Sequence, residues 1–83
     1  MSAPAFAFQP HPAVVSRGDA QPGRGASYLR LLPSGATDWT PDPKAATAFA
    51  SMREAARAAL RLPAAVRAYG LPLETEVARS RTN

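Results

Sequence analysis

Apolar and polar positions alternate over residues 28–32, with Leu29 and Leu31 on one side and Tyr28, Arg30 and Leu32 on the other. They alternate again over residues 37–40, where Thr37 and Trp39 interleave with Asp38 and Thr40. A period of two marks a strand with one covered face. Between the two runs, Pro33-Ser34-Gly35 supplies turn chemistry, so the stretch predicts a β-hairpin that buries Leu29, Leu31 and Trp39. Asp42-Pro43 then reads as a helix start, because an Asp side chain caps exposed N–H groups and Pro at the first helical position gives up a donor that has no partner there. A short helix through Ala46 and Phe49 follows from it.

Ser51-Met52-Arg53-Glu54 matches a capping box and opens the main helix. Its apolar stripe is Met52, Ala55, Ala56, Ala59 and Leu60, with alanines small enough to let it lie close to a sheet. Pro63 ends this helix or begins a further helical turn that Gly70 stops. Residues 71–78 alternate once more, Leu71, Leu73, Thr75 and Val77 against Pro72, Glu74 and Glu76, and predict a last strand.

The order β-β-α-α-β predicts an α+β fold, a three-stranded antiparallel sheet packed against one main helix plus short helices. Residues 27–79 form the single domain, with a core of Leu29, Leu31, Trp39, Phe49, Met52, Leu60, Val66, Leu71, Leu73 and Val77. Residues 1–26 hold four of the nine prolines and three of the five glycines without sustained periodicity, which predicts a disordered N-terminal arm. Within it, the Ala5-Phe6-Ala7-Phe8 and Ala13-Val14-Val15 runs offer an edge strand in context. Residues 80–83 are expected to be a frayed basic tail.

Composition narrows the chemistry. A chain of 83 residues is one small domain with a narrow stability margin. The absence of cysteine and the single histidine, His11, remove disulfides, thiolate zinc sites, cysteine nucleophiles and iron–sulfur ligation, and no cofactor or metal site is expected. Residues 1–15 lack the basic and continuous apolar regions of a signal peptide, and no later run reaches the roughly 18 apolar residues of a membrane span. The expectation is a soluble, unprocessed, cytoplasmic protein.

The net charge of +4 is carried almost wholly by arginine, since Lys44 is the sole lysine. Guanidinium groups suit contact with carboxylates or phosphates, although abundant Arg with scarce Lys is also what a GC-rich genome encodes. Arg53, Arg57 and Arg61 stand four apart, along one face of the main helix, with Glu54 the one nearby counter-charge. This strip, with Arg30 and Arg67 as further cations, is the candidate partner-binding site. It could pair with carboxylates of a protein or with phosphates, and the plainer reading is that it keeps the helix face in water.

Other motifs carry less. Arg17-Gly18-Asp19 spells an integrin tripeptide, and residues 22–25 (PGRG) could shape an anion nest without matching a phosphate-binding fingerprint. Asp38 and Asp42 flank Trp39, but turn and cap duties account for both, and no catalytic residues are assigned. Trp39 is either the largest core residue or an interface anchor. Glu74 and Glu76 offer a second copy of the chain partners for its Arg30 or Arg79, which leaves a homodimer open.

Over residues 28–56 the layout Trp39-Thr40-x-Asp42, then Ala46-x-x-Phe49-x-Ser51-x-x-Glu54-Ala55, resembles that of small proteins of phages and mobile elements. In kind it is similar to compact anti-CRISPR proteins: short, cytoplasmic, without catalytic motifs. The resemblance implies an inhibitor that occupies a surface of a CRISPR effector complex, and it carries over no functional residue. The basic charge departs from the many members that imitate DNA, so such a role would mean binding an acidic protein patch or the bound nucleic acid. The leading expectation is therefore a noncatalytic protein-binding module. The alternatives are a nonspecific nucleic-acid-binding accessory protein and a structural subunit of a phage assembly.

Overall fold

The computed structural model describes residues 11–18 and 26–80. They form an α+β fold with strands β1 (Ala13–Ser16), β2 (Tyr28–Leu31), β3 (Thr37–Thr40) and β4 (Tyr69–Pro72), and helices α1 (Met52–Leu60) and α2 (Leu73–Ser80). A 310 turn, Ala64–Val66, lies between α1 and β4. The sheet order is β3-β2-β1-β4 and every pairing is antiparallel.

The expected hairpin is present. Leu29 pairs with Trp39 and Leu31 with Thr37, around a turn in which Gly35 takes φ +92°, a conformation that L side chains rarely adopt. The expected three strands become four. The additional one, β1, forms at the Ala13-Val14-Val15 run expected to offer an edge strand within the arm, and it is instead an inner strand with all four residues buried, while residues 5–8 lie outside the described residues. Ala13 and Val15 face α1, in the cluster with Leu29, Ala55 and Ala59. Val14 and Ser16 face the opposite side, where α2 also packs.

β1 pairs with β4 at four positions but with β2 at one, Ser16 opposite Tyr28. Residues 47–49 fill the gap where the two strands diverge. The Phe49 N–H donates to the Ala13 carbonyl at 2.7 Å, the Ala13 N–H donates back at 2.9 Å, and the Thr47 N–H donates to Leu29 O at 3.0 Å. The backbone there must stay extended, so the short helix expected after Asp42 is instead a turn at residues 43–45. Asp42 still acts as a turn residue, its Oδ1 accepting from the Lys44 N–H at 2.9 Å.

α1 begins at the expected N-cap, with Ser51 Oγ accepting from the Glu54 N–H at 3.2 Å, although among the described residues the reciprocal bond of a capping box, from the Ser51 N–H to the Glu54 carboxylate, is absent. Its inward face differs from the expectation. Ala55 and Ala59 are buried and Ala58 is half-buried, whereas Met52, Ala56 and Leu60 are exposed. The physical reason is the close approach of helix and sheet: a Cβ built on Gly70 of β4 would stand 3.1 Å from the Ala55 Cβ. An interface this tight admits alanine and turns Met52 and Leu60 outward. Leu31, at the hairpin end of β2, is likewise exposed.

Residues 71–78 also differ: β4 stops at Pro72 and Leu73 opens a helix. The alternation there coincides with helical spacing, since Leu73 and Val77 are four apart. The carboxylates of Glu74 and Glu76 in the first turn favour the N-terminal end of a helix dipole.

A second close approach joins β1 to the 310 turn. The Gly18 N–H donates to Val66 O and Arg67 O, both at 3.0 Å, while Arg67 takes the left-handed conformation at φ 54°. A Cβ on Gly18 would sit 2.7 Å from the Arg67 carbonyl oxygen, which is backbone and cannot swing aside. Gly18→Ala is therefore expected to lower the unfolding free energy by about 1–3 kcal/mol, read as a lower urea midpoint with unchanged m-value.

Candidate functional site

The five candidate arginines divide into three places. Arg53, Arg57 and Arg61 lie on the outer side of α1 or at its C-cap, and all three are exposed. Arg57 and Arg61 line a shallow hollow of about 290 Å³ with Phe49, Glu54 and Ala58, and Arg53 falls outside it because a spacing of four drifts around the helix. Arg67, exposed at the end of the 310 turn, lines a second hollow of about 250 Å³ beside Leu60, Leu62 and Pro63. Arg30 belongs elsewhere. It alternates with Leu29, so it lies on the face of the sheet away from α1, and its guanidinium bonds and ion-pairs with Asp38 on β3.

The structure thus brings Arg53, Arg57 and Arg61 together, places Arg67 past the C-terminal end of α1, and separates Arg30. Among the described residues, no hydrogen bond or ion pair engages the side chains of Arg53, Arg57, Arg61 or Arg67. Asp38 is by contrast fully engaged. The Arg30 hydrogen bond first, and then the Trp39 N–H donating to Oδ1 at 2.8 Å, hold its carboxyl below the usual range. Asp38 thus serves the pairing of β2 and β3, where a turn or cap duty was expected of it. Trp39 is half-buried against the core and carries the Arg17 guanidinium 4.8 Å from its ring centroid.

Beside the arginine strip runs a feature absent from the sequence reading: Met52, Ala56 and Leu60, also four apart, form an exposed apolar stripe. Leu60 is 84% exposed and Met52 43%. Met52 also lines a mainly apolar groove of about 680 Å³ with His11, Pro12, Leu73, Glu74 and Val77. Met52 and Leu60, expected in the core by size and period, are surface, and the signal for this is the trio Ala55, Ala58 and Ala59, which marks the inward face. No group of three or more His, Asp or Glu among the described residues could hold a metal ion. Of the tripeptide at residues 17–19, Asp19 lies outside the described residues, as does the whole of residues 22–25.

The second unforeseen feature is buried and polar. Glu76 on α2 is 1% exposed, and the Tyr28 hydroxyl, on the face of β2 away from α1, donates to its Oε1 at 2.7 Å. The second oxygen, Oε2, accepts no hydrogen bond from the described residues and lies 3.7 Å from the Arg79 guanidinium, one turn on. The two residues are 48 positions apart, and Glu76 was expected on the outer face of a strand, so only a helical reading of residues 73–80 would have turned it inward with Leu73 and Val77.

Compared with known proteins, the chain matches no family model, no curated protein and no solved structure.

Burial, and after it the bond to Glu76, push the Tyr28 hydroxyl above its ordinary value of 10.0. Once the pH passes that ordinary value, the unfolded chain releases the Tyr28 proton while the folded one keeps it. Stability is therefore expected to fall as pH rises above about 10, with a shallower slope in Tyr28→Phe. At neutral pH, Tyr28→Phe strips a buried carboxylate of its donor and is expected to cost about 1–3 kcal/mol in urea unfolding. Tyr28→Phe combined with Glu76→Leu should recover most of that loss, because both halves of the pair are then apolar.

Proposed function

We propose that this chain is a noncatalytic partner-binding module whose contact surface is the outer side of α1. The observation that carries this reading is the set of arginines at positions 53, 57 and 61, exposed, adjacent and without a carboxylate partner among the described residues. Three like charges along one helix face repel one another, and a row of carboxylates on a partner relieves that repulsion while forming bidentate contacts. Arg67 extends the strip past the end of the helix, and Arg30, held by Asp38, takes no part. A CRISPR effector subunit, the partner class implied by the resemblance of residues 28–56 to phage proteins, is one acidic protein surface that such a module would occupy.

The test is capture on the immobilised protein from a bacterial lysate containing a CRISPR effector, with and without nuclease, followed by mass spectrometry. A stoichiometric protein that survives nuclease and is lost with R53Q/R57Q/R61Q, while circular dichroism stays unchanged, is the expected outcome. Recovery of nuclease-sensitive material alone would replace this reading with nucleic-acid binding, for which log affinity falls steeply with log salt.

A further inference from the structure

We infer that the partner presents to α1 an amphipathic helix with acidic flanks, its apolar residues seated on Met52, Ala56 and Leu60 and its carboxylates against Arg53, Arg57 and Arg61. This rests on the partner-binding reading above and names the partner's chemistry.

Two parallel rows define the surface. The arginine row and the apolar row share a spacing of four residues, which on an α-helix is a rise of about 6 Å per step. A second helix lying nearly along α1 repeats its own i, i+4 side chains at the same step, so carboxylates and apolar groups stay in register over the two turns that α1 provides. An extended strand, with same-face side chains about 7 Å apart, loses that register.

Three occupants compete for such a face. A second copy of this chain set α1 against α1 brings arginine rows together with only Glu54 to offset them, which charge opposes. A phosphate backbone would satisfy the guanidiniums but leave Leu60, 84% exposed, and Met52 in water, and no aromatic side chain stands in either row for bases to stack on. An acidic amphipathic helix uses both rows. Past Met52 the apolar row meets the groove lined by His11, Pro12, Leu73 and Val77 and also by Glu74, whose charge confines the acidic flanks of the partner to the stretch over the arginines.

The probe is a fluorescein-labelled synthetic helix with Leu at every fourth position and Glu on both flanks of that row, followed by anisotropy. Controls replace all its Glu by Gln, or all its Leu by Ser, and a single-stranded oligothymidylate serves as the nucleic-acid comparison. The parent peptide is expected to bind, and Met52→Ser/Leu60→Ser is expected to weaken it by at least about tenfold. The Gln peptide should bind more weakly and lose its dependence on salt. Both substituted positions are exposed, so the double variant should melt as the wild type does, which a thermal scan checks.

Equal binding of the parent and Ser-substituted peptides, no binding of the parent, or undiminished binding by the double variant would overturn the proposal. Stronger binding of oligothymidylate than of the parent peptide would do the same. The lysate experiment separates the two levels. A captured protein that is lost with R53Q/R57Q/R61Q but kept by Met52→Ser/Leu60→Ser leaves the module standing and removes the helix.

Discussion

An inner strand of four residues, buried on both faces, is the constraint from which the rest of this fold follows. Ala13–Ser16 has α1 on one side and α2 on the other, β4 along one edge, and β2 with Phe49 along the other. Each of those covering pieces comes from a later part of the chain, so no local segment can satisfy the strand. In a domain of this size, where the fraction of surface that can be buried is small, one fully enclosed strand concentrates the apolar burial that is available. It also explains why a short C-terminal helix carries a carboxylate inward. α2 must cover Val14 and Ser16 beside the hydroxyl of Tyr28, and Glu76 meets that hydroxyl, which would otherwise be buried without an acceptor.

The other side of β1 sets the chemistry of the surface. α1 approaches the sheet closely enough that Gly70 and Ala55 nearly touch, and such an interface is filled by backbone and methyl groups. The two large apolar residues of the helix then have no room inside. Met52 and Leu60 emerge beside the arginines, and a helix that would otherwise expose only charge exposes a composite of cations and hydrocarbon. The apolar content of the outer face is thus a consequence of close packing on the inner one. Single exposed apolar side chains are common on protein surfaces, and what sets these apart is that they share the outer side of one helix with the arginines.

The hairpin, the N-cap and the α+β class were legible because each rests on local chemistry: alternation at Leu29 and Leu31 and at Trp39, turn residues at Pro33 to Gly35, and a side-chain oxygen at Ser51 three residues before Glu54. β1 was legible only as an optional edge strand at Ala13-Val14-Val15 and not as an inner one, because alternation appears only in strands with one wet face, and Ala13-Val14-Val15-Ser16 has none. Flanking prolines and glycines reinforced the reading as an arm. At residues 73–80 the failure was one of window length, since over five residues Leu73, Thr75 and Val77 fit period two while Leu73 and Val77 alone fit a helix. The arginine strip is legible as spacing, but its apolar companion is not, because size alone assigns Met52 and Leu60 to the interior, while the pairing of Arg30 with Asp38 follows from the hairpin register about the turn at residues 33–35.

Arginine-rich composition has two explanations, genomic bias and contact, and the total charge cannot separate them. Position sorts the arginines themselves into two sets. Arg17 lies over the ring of Trp39, Arg30 is bound to Asp38, and Arg79 stands beside the buried carboxylate of Glu76, so these three serve the fold wherever their codons came from. The remaining described arginines, Arg53, Arg57, Arg61 and Arg67, are exposed along α1 and the turn that follows it. Arg53, Arg57 and Arg61 stand at a helical repeat and Arg67 on the turn beyond. The wet face of any amphipathic helix collects cations at that repeat, and a surface that meets a row of carboxylates would do the same. Like charges held this close raise the free energy of the isolated molecule, so the strip works slightly against folding, and under the proposed function an oppositely charged partner would lower that free energy.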